Sequence, residues 1–348
     1  MINQHIQELQ FQRTISEPIV FVGIGLHSGD RATMRLLPAE AGQGISLIRR
    51  DLARGEQAFA VHWEAVRGST LCTVLGNLVG HQVATVEHLL SALAALGIDN
   101  VAIELDGPEI PIMDGSAMPF VDALEKVGIK TLDVPRSFIV VRRPVRLQQG
   151  ASWAELLPEA GRRITVSIDF AAQAIGTQTM SVELTRSVYR EEIAPARTFG
   201  FAEQLEQLRR QGLALGGSIK NAILVREGRV ANLEGLRYRD EFVRHKVLDV
   251  VGDLALAGAP IIGHYRGNRP GHQLNTDLVA LLMDDPTAWS RVPGDRLAEA
   301  FSDEWVSEET PGATGQDQAH DGQRLQGSLS FPNWSRPLSE RIRRLLGE

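Results

Sequence analysis

The sequence predicts an α+β fold divided into two domains. The chain has 348 residues, which is more than one hydrophobic core usually serves, so its length favours about two domains plus an extension. Short apolar segments typical of strands are mixed with longer segments of helical periodicity. Because strands and helices do not alternate regularly, we expect layered α+β domains rather than a doubly wound parallel sheet.

Four short apolar segments predict strands, at residues 32–36, 101–105, 138–141 and 164–168. Two longer segments predict helices. Residues 84–96 place Val and Leu at helical spacing and are followed by Gly97, a typical helix stop. Residues 241–257 are followed by Gly258 and Pro260, which also end helices.

The domain boundary is predicted near Pro135, which follows the last helical segment of the first half. We therefore assign residues 1–134 to a first α+β domain and residues 135–293 to a second. This division rests on the position of a helix-ending proline, because no internal repeat marks the two halves.

Residues 294–348 are predicted to be a polar, mobile tail. Within them, residues 307–327 are rich in Gly, Gln, Asp and Thr and offer little that could form a core. Residues 338–346 are compatible with a short amphipathic helix. That helix would be either a frayed terminus or a docking or protease-recognition signal.

The composition limits the partners and the compartment. The formal net charge is -7 and the pI is about 5.8, so the basic excess that nucleic-acid binding requires is missing. The single cysteine, Cys72, excludes an internal disulfide and a multi-cysteine zinc site. No secretory signal and no uninterrupted apolar run of about 18 residues is present. We expect a cytoplasmic monomer without a membrane span.

A polar stripe on the second predicted helix indicates a metal site. His245, Asp249 and Asp253 occur at positions i, i+4 and i+8 of an otherwise apolar helix and therefore share one face. Burying a carboxylate is costly unless a partner compensates its charge. A divalent ion held by His245 and Asp249 would do so, although such a pair alone is also common as a surface hydrogen bond.

Adjacent Glu87 and His88 interrupt the first predicted helix. Taken singly, each has an ordinary interpretation, His88 as a core residue and Glu87 as an exposed one. Together they match a third metal ligand beside a general base, with a fourth position left for water.

Two further segments supply candidate groups. His272 follows a glycine in a predicted turn, where a histidine is commonly just exposed to solvent. Asp253 offers it a carboxylate partner, which would raise its pKa and make it a proton donor. Thr198 and Phe199 could line a pocket, but Thr and Phe are also ordinary strand residues.

These motifs, in this order, resemble the UDP-3-O-acyl-N-acetylglucosamine deacetylase family of lipid A biosynthesis. The resemblance extends from about residue 11 to about residue 293 and rests on the strings Gly23 to Gly29, Thr85 to Leu89, Gly97 to Asn100, Pro108 to Ser116, Arg197 to Phe201, Gly216 to Ser218, Phe242 to Asp253, and Gly271 with His272.

The resemblance implies two similar domains, each a sandwich of a helix layer and a sheet layer with a small insert, and an active site at their interface. It implies one zinc ion per chain bound by His88, His245 and Asp249, with Fe²⁺ as an alternative in the cell. The spacing of these residues independently predicts a metal at the same three positions.

The resemblance also implies a mechanism: hydrolysis of the N-acetyl group of a UDP-3-O-(3-hydroxyacyl)-N-acetylglucosamine at the committed step of the pathway. Zinc would lower the pKa of a water molecule and polarise the amide carbonyl, and Glu87 would take the water proton. Thr198 would help to stabilise the oxyanion. His272, oriented by Asp253, would protonate the departing amine, which is too basic to leave unprotonated.

Substrate contacts are likewise implied by the resemblance. Lys246 matches a lysine near the nucleotide sugar, and Phe170 matches an aromatic that stacks on uracil. The acyl passage would be lined by Leu26, Phe199 and the segment from Gly216 to Ala222, which contains Gly217 and Ser218. Residues 171–173 read Ala-Ala-Gln where the family commonly has a His-Pro pair, which leaves nucleotide recognition near Phe170 open.

Two other functional classes fit the ligand set. Two histidines and one carboxylate also form the iron site of mononuclear oxygenases, but Glu87 and His272 favour hydrolysis and no co-substrate site is evident. A non-catalytic nucleotide-sugar binding protein with a structural metal is the second alternative. Structural zinc sites usually have four protein ligands, whereas three are found here.

Overall fold

The computed structural model describes residues 10–53 and 57–301, and it confirms the predicted α+β class. The strands are, in chain order, β1 Phe11–Ile15, β2 Ile19–Ile24, β3 Arg31–Pro38, β4 Ile45–Arg49, β5 Ala58–Ala60, β6 Val66–Gly68, β7 Val74–Gly76, β8 Gln82–Val83, β9 Val101–Leu105, β10 Ile129–Pro135, β11 Ser137–Val141, β12 Val145–Gln149, β13 Ser152–Leu157, β14 Arg162–Phe170, β15 Gly176–Glu183, β16 Phe199–Phe201, β17 Ile223–Arg226, β18 Arg229–Val230, β19 Ile261–Asn268 and β20 Trp289–Pro293. All four predicted strands are confirmed, within β3, β9, β11 and β14.

The longer helices are α1 Glu87–Leu96, α2 Met118–Val127, α3 Ala202–Arg210, α4 Glu241–Leu254 and α5 His272–Asp284. Shorter helical turns are found at Trp63–Ala65, Arg186–Val188, Tyr189–Ile193, Ala255–Ala257, Gly294–Arg296 and Glu299–Phe301. No helix among the described residues is long and apolar enough to cross a membrane.

Both predicted helices form, with one difference at a boundary. The first begins at Glu87 rather than at residue 84, because Thr85 has a φ of 59°, in the left-handed region that a right-handed helix excludes. Gly97 ends this helix at a φ of 74°, as predicted. Helix α4 continues as a 3₁₀ turn through Ala257 and stops at Gly258.

The first half is built on a five-stranded mixed sheet in the order β2-β3-β9-β4-β5. Strand β9 is central: it pairs antiparallel with β3 and parallel with β4. The face toward the helices is fully buried and apolar, at Met34, Leu36, Leu47, Ile103 and Leu105. Burial of such side chains contributes roughly 1.5 to 3 kcal/mol each relative to exposure, which holds the helix layer on the sheet.

The second half is built on a seven-stranded sheet. The path β12-β13-β19-β11-β20 is extended by β14, which pairs with β19, and by β15, which pairs with β14. Strand β19 is again central, antiparallel to β13 and parallel to both β11 and β14. Because β19 is followed directly by α5, the sheet fixes where His272 begins that helix.

Three smaller sheets complete the described fold: β1 with β10, β6-β7-β8, and β16-β17-β18. The predicted domain boundary at residues 134 and 135 falls inside β10, whose partner is β1. That boundary stays a prediction, because one continuous buried core takes in residues on both sides of it.

The predicted tail begins with ordered turns. Residues 294–301 form two 3₁₀ turns, and Leu297 is buried in a small cluster with Phe138. The rest of the predicted tail, including the helix expected at residues 338–346, lies outside the described residues.

Helices α1 and α4 pack against each other at very close range. A Cβ added to Gly252 of α4 would lie 2.1 Å from the carbonyl oxygen and 3.0 Å from the Cα of Glu87 in α1. No side chain fits in that space, so glycine is required there by packing rather than by backbone conformation. The contact sets the positions of Glu87 and His88 relative to the polar stripe of α4.

We expect Gly252→Ala to separate the two helices. Overpacking of this kind costs about 1 to 3 kcal/mol, and it should be measurable as a lower free energy of unfolding in urea. Gly107→Ala is the matched control, because a Cβ at Gly107 meets nothing within 4 Å. Equal stability of the two variants would show that the helices can adjust without cost.

Candidate active site

Three buried side chains converge where α1 meets α4. His88 is the second residue of α1, and His245 and Asp249 lie one turn apart on α4. One ligand atom from each lies within 4.8 Å of those of the other two. Asp249 Oδ1 is 3.3 Å from His245 Nε2 and 3.9 Å from His88 Nε2. The structure thus brings together the three residues predicted to bind metal.

The hydrogen bonds of this group fit a metal ion. Asp249 Oδ1 is buried and has no hydrogen-bond partner within residues 10–53 and 57–301, a costly state for a carboxylate oxygen. His245 Nδ1 donates to the carbonyl of Ala196 at 3.0 Å, which leaves the lone pair of Nε2 facing Asp249. Burial lowers the pKa of His88 to about 3 and also lowers that of His245. Both imidazoles are therefore neutral, and each can donate a nitrogen lone pair to a metal ion.

Lys246 pairs with the same carboxylate. Its Nζ donates to Asp249 Oδ2 at 2.7 Å. Burial alone would raise the pKa of Asp249, but Lys246 and then His245 hold it well below its ordinary value. The lysine predicted to contact the nucleotide sugar therefore also keeps Asp249 ionised.

Glu87, the predicted general base, lies beside the predicted ligand group. Its Oε2 accepts the main-chain N–H of Thr73 at 3.0 Å, and its Oε1 lies 3.8 Å from His272 Nε2. Burial raises the pKa of Glu87 to about 7, against the opposing effect of His272. A carboxylate with a pKa near neutrality suits proton abstraction from water.

His272 is held as a cation by carboxylates. Its Nδ1 donates to Asp253 Oδ2 at 2.9 Å, and its Nε2 lies 3.9 Å from Asp249 Oδ2. Burial alone would lower the pKa of His272, but the charges of Asp253 and then Glu87 raise it to about 9. At neutral pH the Nε2–H is therefore available for donation within the same site.

Three residues that sequence reasoning missed hold this arrangement. Thr73 donates its hydroxyl to Asp253 Oδ1 at 2.6 Å, while its main-chain N–H bonds Glu87. Asn275 donates to Asp253 Oδ2 at 2.8 Å and accepts from the Tyr265 hydroxyl at 2.6 Å. Asn275 lies three residues after His272, on the same helical face, a signal the sequence did contain. Thr73 lies in an irregular segment, where no sequence pattern indicates its role.

Aromatic rings flank His245. The Phe199 ring centroid lies 6.4 Å from that of His245 and 5.0 Å from that of Phe242. Phe170 packs edge-on against Phe199, with centroids 5.6 Å apart. Thr198 immediately precedes Phe199, and its hydroxyl has no hydrogen-bond partner among the described residues. The structure therefore places Phe170 and Phe199 in one cluster beside the ligands.

The predicted acyl-passage residues form a second group. The carbonyl of Leu26 accepts the main-chain N–H of Gly216 at 3.1 Å, and a Cβ on Gly217 would lie 3.7 Å from Leu26 Cδ1. Ser218 bonds Asn221 through its main-chain N–H at 2.8 Å. Within the described residues, no hydrogen bond joins Leu26, Gly217 or Ser218 to the three predicted metal ligands.

Glu109, another residue missed by sequence reasoning, fixes the loop that carries Leu26. Its carboxylate accepts the main-chain N–H groups of His27 and Ser28, each at 2.8 Å, and the Ser28 hydroxyl at 2.7 Å. It also accepts the Thr85 hydroxyl at 2.9 Å. A Cβ on Gly25 would lie 2.3 Å from this carboxylate, so glycine makes room for it.

Cys72 is buried near the site. Burial, and then the charge of Glu87, raise the pKa of its thiol to about 12. The group is therefore a neutral thiol at physiological pH, which favours the interpretation of Cys72 as a packing residue over a metal contact.

Comparison with known proteins identifies the family. The model of the UDP-3-O-acyl N-acetylglycosamine deacetylase family matches residues 12–284. The chain belongs to this family. The resemblance seen in the sequence motifs is thereby confirmed. The buried group of side chains at α1 and α4 therefore lies in a member of the deacetylase family.

Curated relatives match this chain over nearly their whole length. A protein of Shewanella oneidensis, named UDP-3-O-acyl-N-acetylglucosamine deacetylase, is 46% identical over 292 residues, which cover 83% of this chain and 95% of the relative. Proteins of the same name from Shewanella sp. strain W3-18-1 and Shewanella baltica strain OS155 are each 46% identical over 291 residues, with the same coverage.

We expect Thr73→Val to destabilise the protein. The substitution keeps the volume and the N–H bond to Glu87 but leaves Asp253 Oδ1 without its hydroxyl donor. Asp253 Oδ1 would keep only its longer hydrogen bond from His272 Nδ1, at 3.2 Å. Loss of the shorter bond to a buried carboxylate costs about 1 to 3 kcal/mol, measurable by urea unfolding. Thr177→Val is the matched control, because the Thr177 hydroxyl bonds an exposed carboxylate, Asp169, and its loss should cost within about 0.5 kcal/mol. Equal losses would contradict the role assigned to Thr73.

Proposed function

We propose that the chain is a zinc-dependent deacetylase. It hydrolyses the N-acetyl group of UDP-3-O-(3-hydroxyacyl)-N-acetylglucosamine and releases acetate and the free amine, at the committed step of lipid A biosynthesis. The observation that carries the proposal is the placement of Glu87 and His272 beside the His88, His245 and Asp249 group in a member of this family. We further propose that the enzyme is a cytoplasmic monomer.

The metal proposed is one Zn²⁺ per chain. Two neutral imidazoles and one ionised carboxylate suit zinc and leave a position for water, and Fe²⁺ accepts the same donors. When bound, the ion supplies Lewis-acid polarisation of the amide carbonyl and a lower pKa for a water molecule. His88, His245 and Asp249 would hold it, and Lys246 keeps Asp249 ionised.

Glu87 acts as the general base. Its carboxylate is fixed by the main-chain N–H of Thr73 and faces the ligand group. A water molecule at the fourth position of the metal would therefore lie within reach of Glu87. The raised pKa of Glu87 lets it accept a proton near neutral pH and pass it on. The hydroxyl of Thr198 stabilises the negative charge that develops on the carbonyl oxygen, a contribution typically worth a few kcal/mol.

His272 acts as the general acid. The amide nitrogen must be protonated before the carbon–nitrogen bond breaks, because an amide anion is too basic to leave. The pKa of about 9 keeps His272 charged at neutral pH, and Asp253 holds Nδ1 so that Nε2 is the donating atom. The carboxylate of Asp253 is in turn fixed by Thr73 and Asn275.

Substrate contacts are assigned by position. Phe170 stacks on the uracil ring, and Lys246 contacts the nucleotide sugar while bound to Asp249. Leu26, Phe199, Gly217 and Ser218 line the passage for the acyl chain. The combination of the Glu87 carboxylate and the cationic His272 supplies a general base and a general acid. It therefore favours this hydrolysis over oxygenase chemistry, which has no need of either group.

The decisive experiment is reversible metal removal. The purified protein should lose deacetylation of a UDP-3-O-acyl-N-acetylglucosamine after chelation and regain it with one equivalent of Zn²⁺, with bound metal measured by atomic emission in parallel. The acetate released should match the amine formed. Full activity in metal-free protein would refute the metal assignment, and no activity in folded, zinc-loaded protein would refute the reaction.

We expect Glu87→Gln to separate metal binding from turnover. The amide keeps the side-chain shape and can still accept from Thr73, but it cannot take a proton, so turnover should fall about 100-fold or more. Zinc content should stay at one per chain. Glu125→Gln, which removes a half-buried carboxylate paired with Arg186 and Arg190, should leave turnover unchanged. Near wild-type turnover in Glu87→Gln would exclude Glu87 as the base.

A further inference from the structure

A cavity lies beside the C-terminal ends of helices α1 and α4, away from the predicted metal ligands. Its volume is about 250 Å³, and of the residues named at the candidate site only Tyr265, whose hydroxyl bonds Asn275, also lines it. Its walls come from the C-terminal parts of α1 and α4 and from strands β4, β14 and β19. The lining is mostly apolar, at Ile45, Val61, Ile98, Leu156, Ile164 and Leu254.

Three arginines line this mostly apolar cavity, and the guanidinium of Arg163 is paired with Glu159, which leaves Arg136 and Arg162. Arg136 is 2% exposed, and its Nη1 is buried without a hydrogen-bond partner among the described residues. Arg162 lies close enough to Arg136 that their charges repel, and the guanidinium of Arg162 has no hydrogen-bond or ion-pair partner in the part of the chain that the structure describes. Burial, and then Arg136, lower the pKa of Arg162 to about 10.

The nearby carboxylates are already engaged. Asp99 lines the cavity, but its Oδ1 accepts from Arg136 Nε at 2.7 Å and its Oδ2 accepts the main-chain N–H of Arg13 at 2.9 Å. Glu183 accepts the main-chain N–H of Arg162 at 2.8 Å, not its guanidinium. Nη1 of Arg136 therefore remains an unused, buried donor at an apolar cavity, a state that costs free energy unless an acceptor enters. The half-buried guanidinium of Arg162 adds further unpaired donors there.

We propose that this cavity is a binding site for a small carboxylate with a compact apolar body. A carboxylate accepts two parallel N–H donors from a guanidinium, which matches Arg162 and the free Nη1 of Arg136. The apolar walls would cover the rest of the ligand. The volume is below the roughly 300 to 1,000 Å³ of sites for drug-sized ligands, so the body is about the size of one ring.

The test uses benzoate as the probe and the full chain labelled at isoleucine methyl groups. Ile98 and Ile164 line the cavity, whereas Ile219 lies beside the proposed acyl passage, so methyl NMR reports which site is filled. Benzoate should shift the signals of Ile98 and Ile164. Benzyl alcohol, which has the same ring without the charge, should bind at least about tenfold more weakly, because charge-assisted hydrogen bonds are lost.

Arg162→Gln should weaken benzoate binding about tenfold or more and leave the other methyl signals in place. Arg186→Gln is the matched control: it removes the same charge from an exposed pair with Glu125 outside the cavity, and benzoate affinity should not change. Arg136→Gln is a second variant, although it also removes the partner of Asp99. No shift of Ile98 or Ile164, shifts confined to Ile219, or equal affinity in Arg162→Gln would each overturn the proposal.

Discussion

The close contact between α1 and α4 is the constraint on which the site depends. Glu87 and His88 stand at the start of α1, and His245, Asp249 and Asp253 follow one face of α4, so neither helix alone holds a complete set. Gly252 lets the backbones meet at a distance that any side chain would prevent. The two sheets and the continuous core hold this helix pair from both sides.

A second principle of the site is compensation of buried charge. Three carboxyl groups, of Glu87, Asp249 and Asp253, lie within a few ångströms of two cations, Lys246 and His272. The histidines of the ligand group are neutral, so when Glu87 is ionised the cluster carries three negative charges against two positive ones. Isolated charges of this kind are not tolerated in a protein interior. The divalent cation that we propose would therefore compensate charge in the native state as well as take part in the reaction.

Much of this centre was predictable because it is local in sequence. The i, i+4, i+8 pattern reveals His245, Asp249 and Asp253 from helical periodicity alone, and glycines mark the ends of both helices. The supporting hydrogen bonds were not predictable in the same way. Thr73 reaches Asp253 across 180 residues, and Glu109 holds a loop 82 residues away; such contacts depend on the tertiary packing of irregular segments. The helix start at Glu87 was also missed, because a left-handed threonine has no sequence signature.

The carboxylate of Glu109 has a mechanical consequence. It binds the loop of residues 25–29 with three hydrogen bonds and Thr85 with a fourth, and Thr85 is the left-handed residue two positions before Glu87. The loop on the proposed acyl side and the backbone at the start of α1 are thus joined through one carboxylate. Displacement of that loop would strain the chain two residues before Glu87, the proposed general base.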